Sequence, residues 1–387
     1  MADTHPLRLL HFADLHLDVP FRWAPAGVAR RHRQAVRDAL RRILELAVEQ
    51  RVDAVLCAGD LYEQDHVSPD TIAFLVAELA RIAPIPVVIS PGNHDWYGPR
   101  TPYQQARWPA NVTLFRGPGL QPLPLRPGVT LWGAAHQAPA STPGFLDGFR
   151  VAGPGLHLGL FHGAEREDHR PPHDSALPLD PHAPFAPADI EQAGLLHALT
   201  GHYHSPRDAF RYTYPGNPEP LTFGEEGARG PILVTVYGDG KIERTHHPVG
   251  SASLSAIRLD VTGCASEQDV RERVQERVRG RAGAVRIDLE GELPPAASID
   301  PAHLADAAPW LEALLCRASS VRPAYDLDAL SAEATVRGQF VRDLRAATAM
   351  PGEEERPLDE ATRWRVLVTG LRALDDREDL DLGGGLT

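Results

Sequence analysis

The sequence predicts an α/β protein built from two packed mixed sheets flanked by helices, four layers in the order α/β/β/α, followed by a small α+β unit and C-terminal helices. Three observations carry this. Apolar strand-like runs alternate with amphipathic helices through residue 90. A second set of strand-like runs follows at 129–134, 156–161 and 209–249. A separate strand–helix–strand pattern begins near residue 251, and alternation of this kind marks parallel-rich sheets.

The elements justify themselves in order. Residues 7–12 (LRLLHF) read as a first buried strand. Residues 28–49 read as a helix, with Val36, Leu40, Ile43, Leu44 and Ala47 as its core-facing stripe. Residues 52–57 form a second strand run. A helix over 68–83 follows from Ser68 as cap, Pro69 in the first turn and the stripe Ile72, Leu75, Val76, Leu79. Residues 86–90 make a third strand, and 97–125 are Pro- and Gly-rich and read as irregular. Strands follow at 129–134 and 156–161, then a long loop over 164–189, whose His169, His173 and His182 read as solvated side chains. The segment 195–200 leads into a His-x-His pair, and residues 237–241 read as a hairpin turn.

In the second unit, strands are expected at 254–261 and 284–289 around a charged helix at 267–281. Arg271, Arg273, Arg277, Arg279 and Arg281 on that helix interleave with Glu267, Asp269, Glu272 and Glu276, which reads as a salt-bridged solvated face in preference to a DNA-contacting one. Helices are expected at 301–317 and 327–347, an acidic linker at 350–357, a last helix at 359–376 and a disordered acidic tail from 375. The domain boundaries read from this are 1–250, 251–348 and 349–387.

Chemistry concentrates in five short pieces: Asp14-Leu15-His16, Gly59-Asp60, Gly92-Asn93-His94-Asp95, His162 and Gly201-His202-Tyr203-His204. Together they supply three carboxylates, one amide and five imidazoles, and most follow a predicted strand. Ligands gather outside the carboxyl ends of strands in open α/β sheets. Imidazole suits transition metals and carboxylate suits harder ions, so the mixture fits two adjacent divalent cations, a device for phosphoester cleavage. Asp14 and His16 are two residues apart, so extended backbone would point both side chains the same way. Asp-x-His and Gly-Asp alone are weak and Gly-Asn-His-Asp and Gly-His-x-His moderately specific; their order and placement together carry the reading.

These pieces resemble the calcineurin-like metallophosphoesterase superfamily. His11 to Asp18, Ala58 to Tyr62 and the stretch Tyr214 to Glu225 resemble its DNA-repair exonuclease branch, the SbcD-like and YhaO-like bacterial nucleases and the meiotic recombination eleven nuclease. The resemblance is strong over 7–250 and rests on layout beyond. It implies a metallophosphoesterase sandwich with a capping domain over 251–348. It also implies two divalent metal ions, Mn2+ by family expectation. Asp14, His16 and His204 would hold the first ion and Asn93, His162 and His202 the second, with Asp60 between them. His94 would act as the general acid and Asp95 would orient its loop. A hydroxide between the ions would attack phosphorus in line. DNA is the implied substrate, in double-strand-break processing. An SMC-like ATPase of the SbcC type is the implied partner, and dimerisation through N-domain helices is implied as well. The last helix either docks on that ATPase or packs back on the protein.

Composition bounds the alternatives. The net charge of −13 counts against an indiscriminate nucleic-acid binder. Lys241 is the only lysine, so positive charge is almost all arginine, which suits bidentate phosphate contacts. Arg30, Arg33, Arg37 and Arg41 share one helix face, either as a solvated surface or as a phosphate-backbone track for DNA. Cys57, Cys264 and Cys316 offer no Cys-x-x-Cys pair, hence neither a disulfide framework nor a zinc knuckle. No run reaches the roughly 18 apolar residues of a membrane span, and no basic apolar leader opens the chain, so the expected location is cytoplasmic. No P-loop, repeat or dinucleotide fingerprint is present. A phosphatase or cyclic-nucleotide phosphodiesterase on the same site is the main alternative, and a non-catalytic DNA-end binder the third class.

Overall fold

Residues Leu7–Phe12 form β1, and every second side chain goes to a different hydrophobic layer: Leu10 and Phe12 to one side, Leu9 to the other. A strand buried on both faces this way belongs in the middle of a sheet covered twice. The computed structural model describes residues 5–166, 182–347 and 359–374. The chain forms two units, Met1–Ser255 and Ala256–Thr387.

In the first unit the order is β1, α1 (Ala26–Glu49), β2 (Ala54–Cys57), α2 (Pro69–Arg81), β3 (Val87–Ile89), α3 (Pro102–Gln105), β4 (Val112–Leu114), β5 (Gln121–Arg126), β6 (Val129–Gly133) and β7 (Leu156–His162). Then come α4 (Pro187–Ala193), β8 (His197–Gly201), β9 (Arg207–Asp208), β10 (Tyr212–Tyr214), β11 (Ile232–Val236) and β12 (Ile242–His246). One six-stranded sheet runs β12-β11-β1-β2-β3-β4 and the other β5-β6-β7-β8-β10-β9. Both are mixed: β1 to β4 are mutually parallel and β11 is antiparallel, while β6, β7, β8 and β10 are parallel between antiparallel β5 and β9.

The layers follow from which side chains each face buries. Leu40, Ile43 and Leu44 of α1 and Leu75 and Leu79 of α2 pack on Phe12, Val55, Cys57 and Ile89. Leu9, Leu56, Val88, Leu131, Leu158, Leu160 and Leu199 fill the space between the sheets. Ile190 and Ala193 of α4 pack with Phe161, Ala198 and Tyr212 on the outer face of the second sheet. This is the expected four-layer α/β/β/α order. Each fully buried leucine contributes about 1.5–3 kcal/mol. As expected, Ser68 Oγ accepts from Thr71 N at 3.2 Å to cap α2, with Pro69 in its first turn. Tyr237 N donates to Lys241 O in the β11–β12 hairpin. The stretch 97–125 is less irregular than its composition implies, since it holds α3, β4 and β5. Pro102 falls at the first turn of α3, and Pro122 and Pro124 fall in β5, an edge strand, where a missing N–H is tolerated.

The second unit holds a three-stranded sheet of β13 (Leu254–Asp260), β14 (Ala284–Leu293) and β15 (Ala313–Pro323). Helix α5 (Glu267–Val278) packs on it through Val270, Val274 and Val278. Two expectations are corrected here. The helix expected over 301–317 is a single 3-10 turn, Pro301–Leu304, followed by β15. Pro309 stops helical continuation, and parallel pairing with β14 claims the run after it. The helix expected over 327–347 is two, α6 (Leu327–Ala332) and α7 (Val336–Ala346), because Thr335 caps a new N-terminus with Gly338 N as donor. The last helix, α8 (Glu360–Leu374), buries Leu367 and Leu371 with Val341 and Leu344. Gly370 lets the Phe340 ring approach its backbone closely. The linker 350–357, the tail from 375, His169 and His173 lie outside the described residues. Among the described residues, no helix is long and apolar enough to cross a membrane.

Candidate metal centre

The carboxyl ends of β1, β2, β3, β7 and β8 meet at one place, and the five sequence pieces sit there. The segment after β1 zips onto the segment after β2: Asp14 N donates to Gly59 O at 3.1 Å, His16 N to Asp60 O at 2.9 Å and Leu17 N to Leu61 O at 3.1 Å. Asp14, His16 and Asp60 all take left-handed backbone, with φ of 53°, 50° and 52°. Asp14 and His16 therefore do not share a direction through extended geometry, as the spacing implied. They converge because the chain leaves the sheet to pair with the neighbouring turn. Left-handed non-glycine residues cost about 1–2 kcal/mol each and collect where a site over-determines them.

Donor atoms cluster in three overlapping sets: Asp14, His16 and His204; His16, Asp60 and His94; Asp14, Asp60 and His162, each within 4.8 Å. Asp60 Oδ2 lies 3.6 Å from His16 Nε2 and 3.2 Å from His162 Nε2, so it stands between a His16 side and a His162 side. His16 and His204 face each other, Nε2 to Nε2, at 3.1 Å. His202 joins no such set; its backbone N–H donates to the Asp14 carboxylate at 3.0 Å, and its ring lies 5.2 Å from that of His162. Asn93 is buried beside His94, and its Oδ1 has no hydrogen-bond partner. A buried, unpaired acceptor of this kind is costly unless something binds it.

The outer contacts orient the rings. His16 Nδ1 donates to Glu63 Oε1 at 2.7 Å, His204 Nδ1 to Glu225 Oε1 at 2.7 Å and His162 Nδ1 to Ala58 O at 2.9 Å. Each contact leaves an Nε2 lone pair turned inward, the arrangement that metal-ligating histidines adopt. Asp95 ties the loops together: Oδ1 accepts from Asp60 N at 3.0 Å and Gly92 N at 2.6 Å, Oδ2 from Leu61 N at 2.8 Å and Tyr103 Oη at 2.6 Å. Gly59 has φ of 90°, and a Cβ there would sit 2.7 Å from His162 Nδ1. The donor set of carboxylates, imidazoles and an amide fits divalent transition cations.

The electrostatics agree. Burial alone would raise the Asp60 carboxyl, but the His162, His94 and His16 rings hold it well below the usual carboxylate range. Burial would lower His162, yet Asp60 and Asp14 raise it to about 9. His94 is likewise lowered by burial and lifted by Asp60 and Glu63 to about 10. Burial, then Asp60, raises Asp95 to about 6.

Several site residues carried no signal in the sequence. Glu63 and Glu225 acquire their roles only because distant loops bring histidines to them. Tyr103 was hidden in a stretch read as irregular. His182 is not the solvated side chain its loop suggested: its ring is 5.3 Å from His202, because Ala164 N donates to His182 O and draws that segment to the end of β7. The arginine face of α1 is partly committed elsewhere. Arg37 bonds Asp70 and Thr71, Arg41 bonds Glu78 and Asp38, and Arg33 donates to Pro20 O at 3.4 Å, while Arg30 is exposed. In the second unit Arg271 bonds Asp306 and His303 O, and Arg273 bonds Asp260 O and Thr262 O, so both are held by groups outside α5 rather than by the acids interleaved on it.

A double-sheet sandwich with this donor set at its strand ends defines a phosphoester hydrolase that uses divalent metal. Residues 7–206 match the calcineurin-like phosphoesterase family, and the chain belongs to it. It is similar to the uncharacterized metallophosphoesterase YhaO of Bacillus subtilis strain 168, at 27% identity over 74% of this chain and 72% of that protein. It is also similar to the DNA double-strand break repair protein Mre11 of Aeropyrum pernix, at 28% identity over 61% of this chain and 59% of that one. The Mre11 of Haloferax volcanii is 27% identical over 85% of this chain and 70% of its own. Among solved structures, TT1561 of Thermus thermophilus aligns with a TM-score of 0.36 at 14% identity, over 62% of this chain and 99% of that one.

Proposed function

We propose that this protein is a Mn2+-dependent DNA exonuclease or endonuclease that hydrolyses phosphodiester bonds in double-strand-break processing, in the cytoplasm and in concert with an SMC-like ATPase. The observation that carries the reading is Asp60 set between a His16 side and a His162 side, with His94 on the adjoining loop and its side chain 45% exposed. The similarity to two Mre11 proteins supports DNA as the substrate class.

Asp14, His16 and His204 would hold one cation, Asn93, His162 and His202 the other, and Asp60 would touch both. Bound cations of this type lower the pKa of a coordinated water from 15.7 toward about 7 and offset phosphoryl charge. The protein's own groups do the rest. The His94 backbone N–H donates to Asp60 Oδ1 at 2.9 Å, fixing that carboxylate. Once the attacking water has released one proton to solvent, its hydroxide oxygen bonds to phosphorus, the P–O bond to the leaving oxygen breaks, and that bond's electrons stay on the leaving oxygen. The His94 Nε2–H delivers the proton there, leaving a neutral ring.

The test is Mn2+-dependent degradation of end-labelled linear DNA by wild type and His94→Gln, with bis-p-nitrophenyl phosphate in parallel. Loss of one general acid costs roughly 10²–10⁴-fold. Wild-type cutting that fails in a metal-loaded His94→Gln supports the reading. Cleavage of cyclic nucleotides or the small diester without DNA cleavage, under any ATPase condition, refutes it in favour of a small-molecule phosphodiesterase.

A further inference from the structure

The chain carries 52 acidic residues, yet none falls between Trp96 and Leu146. That stretch begins directly after Asn93-His94-Asp95 and keeps Arg100, Arg107, Arg116 and Arg126. It also builds a cleft of about 580 Å3, lined in part by Tyr97, Tyr103, Trp108, Val112, Leu114 and Arg116, a size that suits a small ligand. One wall is β4, the edge strand beside β3; the aromatic residues of segment 97–108 form the other. Tyr103 is buried with its hydroxyl on Asp95 at 2.6 Å, and Trp108 Nε1 donates to Tyr103 O at 3.2 Å. The Tyr103 and Trp108 rings lie 5.6 Å apart. Tyr97 and Trp108 pack against the core yet stay only half-buried. Strands β3 and β4 are parallel, so Arg116, just past β4, leaves the sheet at the same edge as His94, just past β3. Arg100, Arg107 and Arg116 are exposed and have no ion-pair partner among the described residues.

We propose that this cleft binds a nucleobase, stacked on Tyr97 and Trp108, with the attached phosphate on Arg116. The inference rests on the reading given above only for DNA as the source of that base. Aromatic faces accept any base, and arginines beside them track the backbone; a guanidinium matches a phosphate with two parallel hydrogen bonds. Trp108 is already held by its Nε1 bond, so stacking on it orders little that was free. The missing carboxylates matter because the chain as a whole has a net charge of −13. A surface stripped of acid spares a phosphate the repulsion it would meet elsewhere on such a protein. An aromatic cluster that served packing alone would need neither the open side nor the acid-free surroundings. A base in a duplex is paired and stacked, so the cleft takes only a base that has left its partner, from a single strand or a frayed end. Two sources carry this chemistry: an unpaired base on a strand and a free mononucleotide.

The test measures binding, in the full-length Mn2+-loaded protein carrying His94→Gln so that the strand is not cut. The probes are a thymidine octamer, an abasic octamer with the same phosphates, and thymidine 5′-phosphate. The expected result is that the thymidine octamer binds about tenfold or more tightly than the abasic one, and that Trp108→Leu or Tyr97→Leu removes the difference. Arg116→Gln, an exposed change that leaves the fold intact, should lower the salt slope of octamer binding by about 0.7, one single-strand phosphate contact. An octamer carrying 5-iodouracil should photocross-link to Tyr97 or Trp108. Equal binding of the two octamers, or cross-links confined to other segments, overturns the inference and leaves the free edge of β4 to a protein segment. An unchanged salt slope in Arg116→Gln overturns the phosphate contact even if either aromatic variant fails to fold. Thymidine 5′-phosphate binding as tightly as the octamer, and lost in Trp108→Leu, supports the cleft with a free mononucleotide as its occupant. Base-dependent octamer binding without DNA cleavage by the wild type, under any ATPase condition, counts against the nuclease reading and leaves the cleft standing.

Discussion

Gly92→Ala should dismantle the metal centre without replacing a single ligand. The Gly92 backbone is not in the left-handed region, so the effect is steric. An added Cβ would collide with Asp60 Oδ1 and would sit 2.8 Å from Asp60 N and 2.9 Å from His162 Nδ1. Relaxed contact begins near 3.4 Å, so Asp60 N must retreat by 3.4 − 2.8, or about 0.6 Å. Metal–ligand distances tolerate about 0.2 Å, so Asp60 cannot follow and still reach both sides. Overpacking costs about 1–3 kcal/mol in stability, and disturbing the surroundings of a ligand typically costs 10–100-fold in metal affinity. The assay is calorimetric Mn2+ titration of metal-free protein at fixed pH, with thermal unfolding alongside. Gly119→Ala is the control, since a Cβ there meets nothing within 4 Å. Wild-type Mn2+ affinity in Gly92→Ala would refute the close approach of the 59–60 and 92–95 turns on which the site is built.

Three further outcomes are expected. Because Asp60 and Asp14 outweigh burial and hold His162 near 9, that ring is protonated at neutral pH and must lose a proton to bind metal. Mn2+ affinity should therefore rise about tenfold between pH 7 and 8, with proton release visible as buffer-dependent heat; a pH-independent affinity contradicts this. His11, fully buried between the sheets, is lowered from 6.5 to about 3 by burial and then by His197. A depressed histidine loses stability as pH falls below its unfolded value, so from pH 7.5 to 5.5 it should cost about 1.4 kcal/mol, roughly 3–5 °C. His11→Leu should show a thermal midpoint that falls less by that amount, and an identical fall removes His11 as the cause. Leu371→Ala, in the face that α8 buries on α7, should destabilise by about 2–5 kcal/mol, read by hydrogen exchange in α8; unchanged protection would mean the helix is not held there.

The first-unit sheets and their helices were legible because strands buried on both faces and helices with one apolar stripe leave distinct periods. That Asp14, His16, Asp60, His162 and His204 come together was legible because each ends or follows a strand, and strand ends converge. The direction in which Asp14 and His16 point was not, because left-handed backbone is imposed by pairing with Gly59 and Asp60 on the neighbouring turn, a tertiary effect. Glu63, Glu225 and Tyr103 were invisible for a related reason: an outer contact has no fixed spacing from the ligand it orients. In the second unit, Ala- and Leu-rich sequence favoured helix over 301–317, and parallel pairing with β14 overrode that propensity. Pro309 was the available warning.

We propose that five loops build one centre for two cations with Asp60 between them. The most direct test is a crystal soaked in Mn2+ and measured for anomalous scattering. The account predicts two peaks about 3.5–4 Å apart, one against Asp14, His16 and His204, the other against Asn93, His162 and His202, with Asp60 touching both. A single peak, or two peaks with Asp60 outside reach of either, would contradict it.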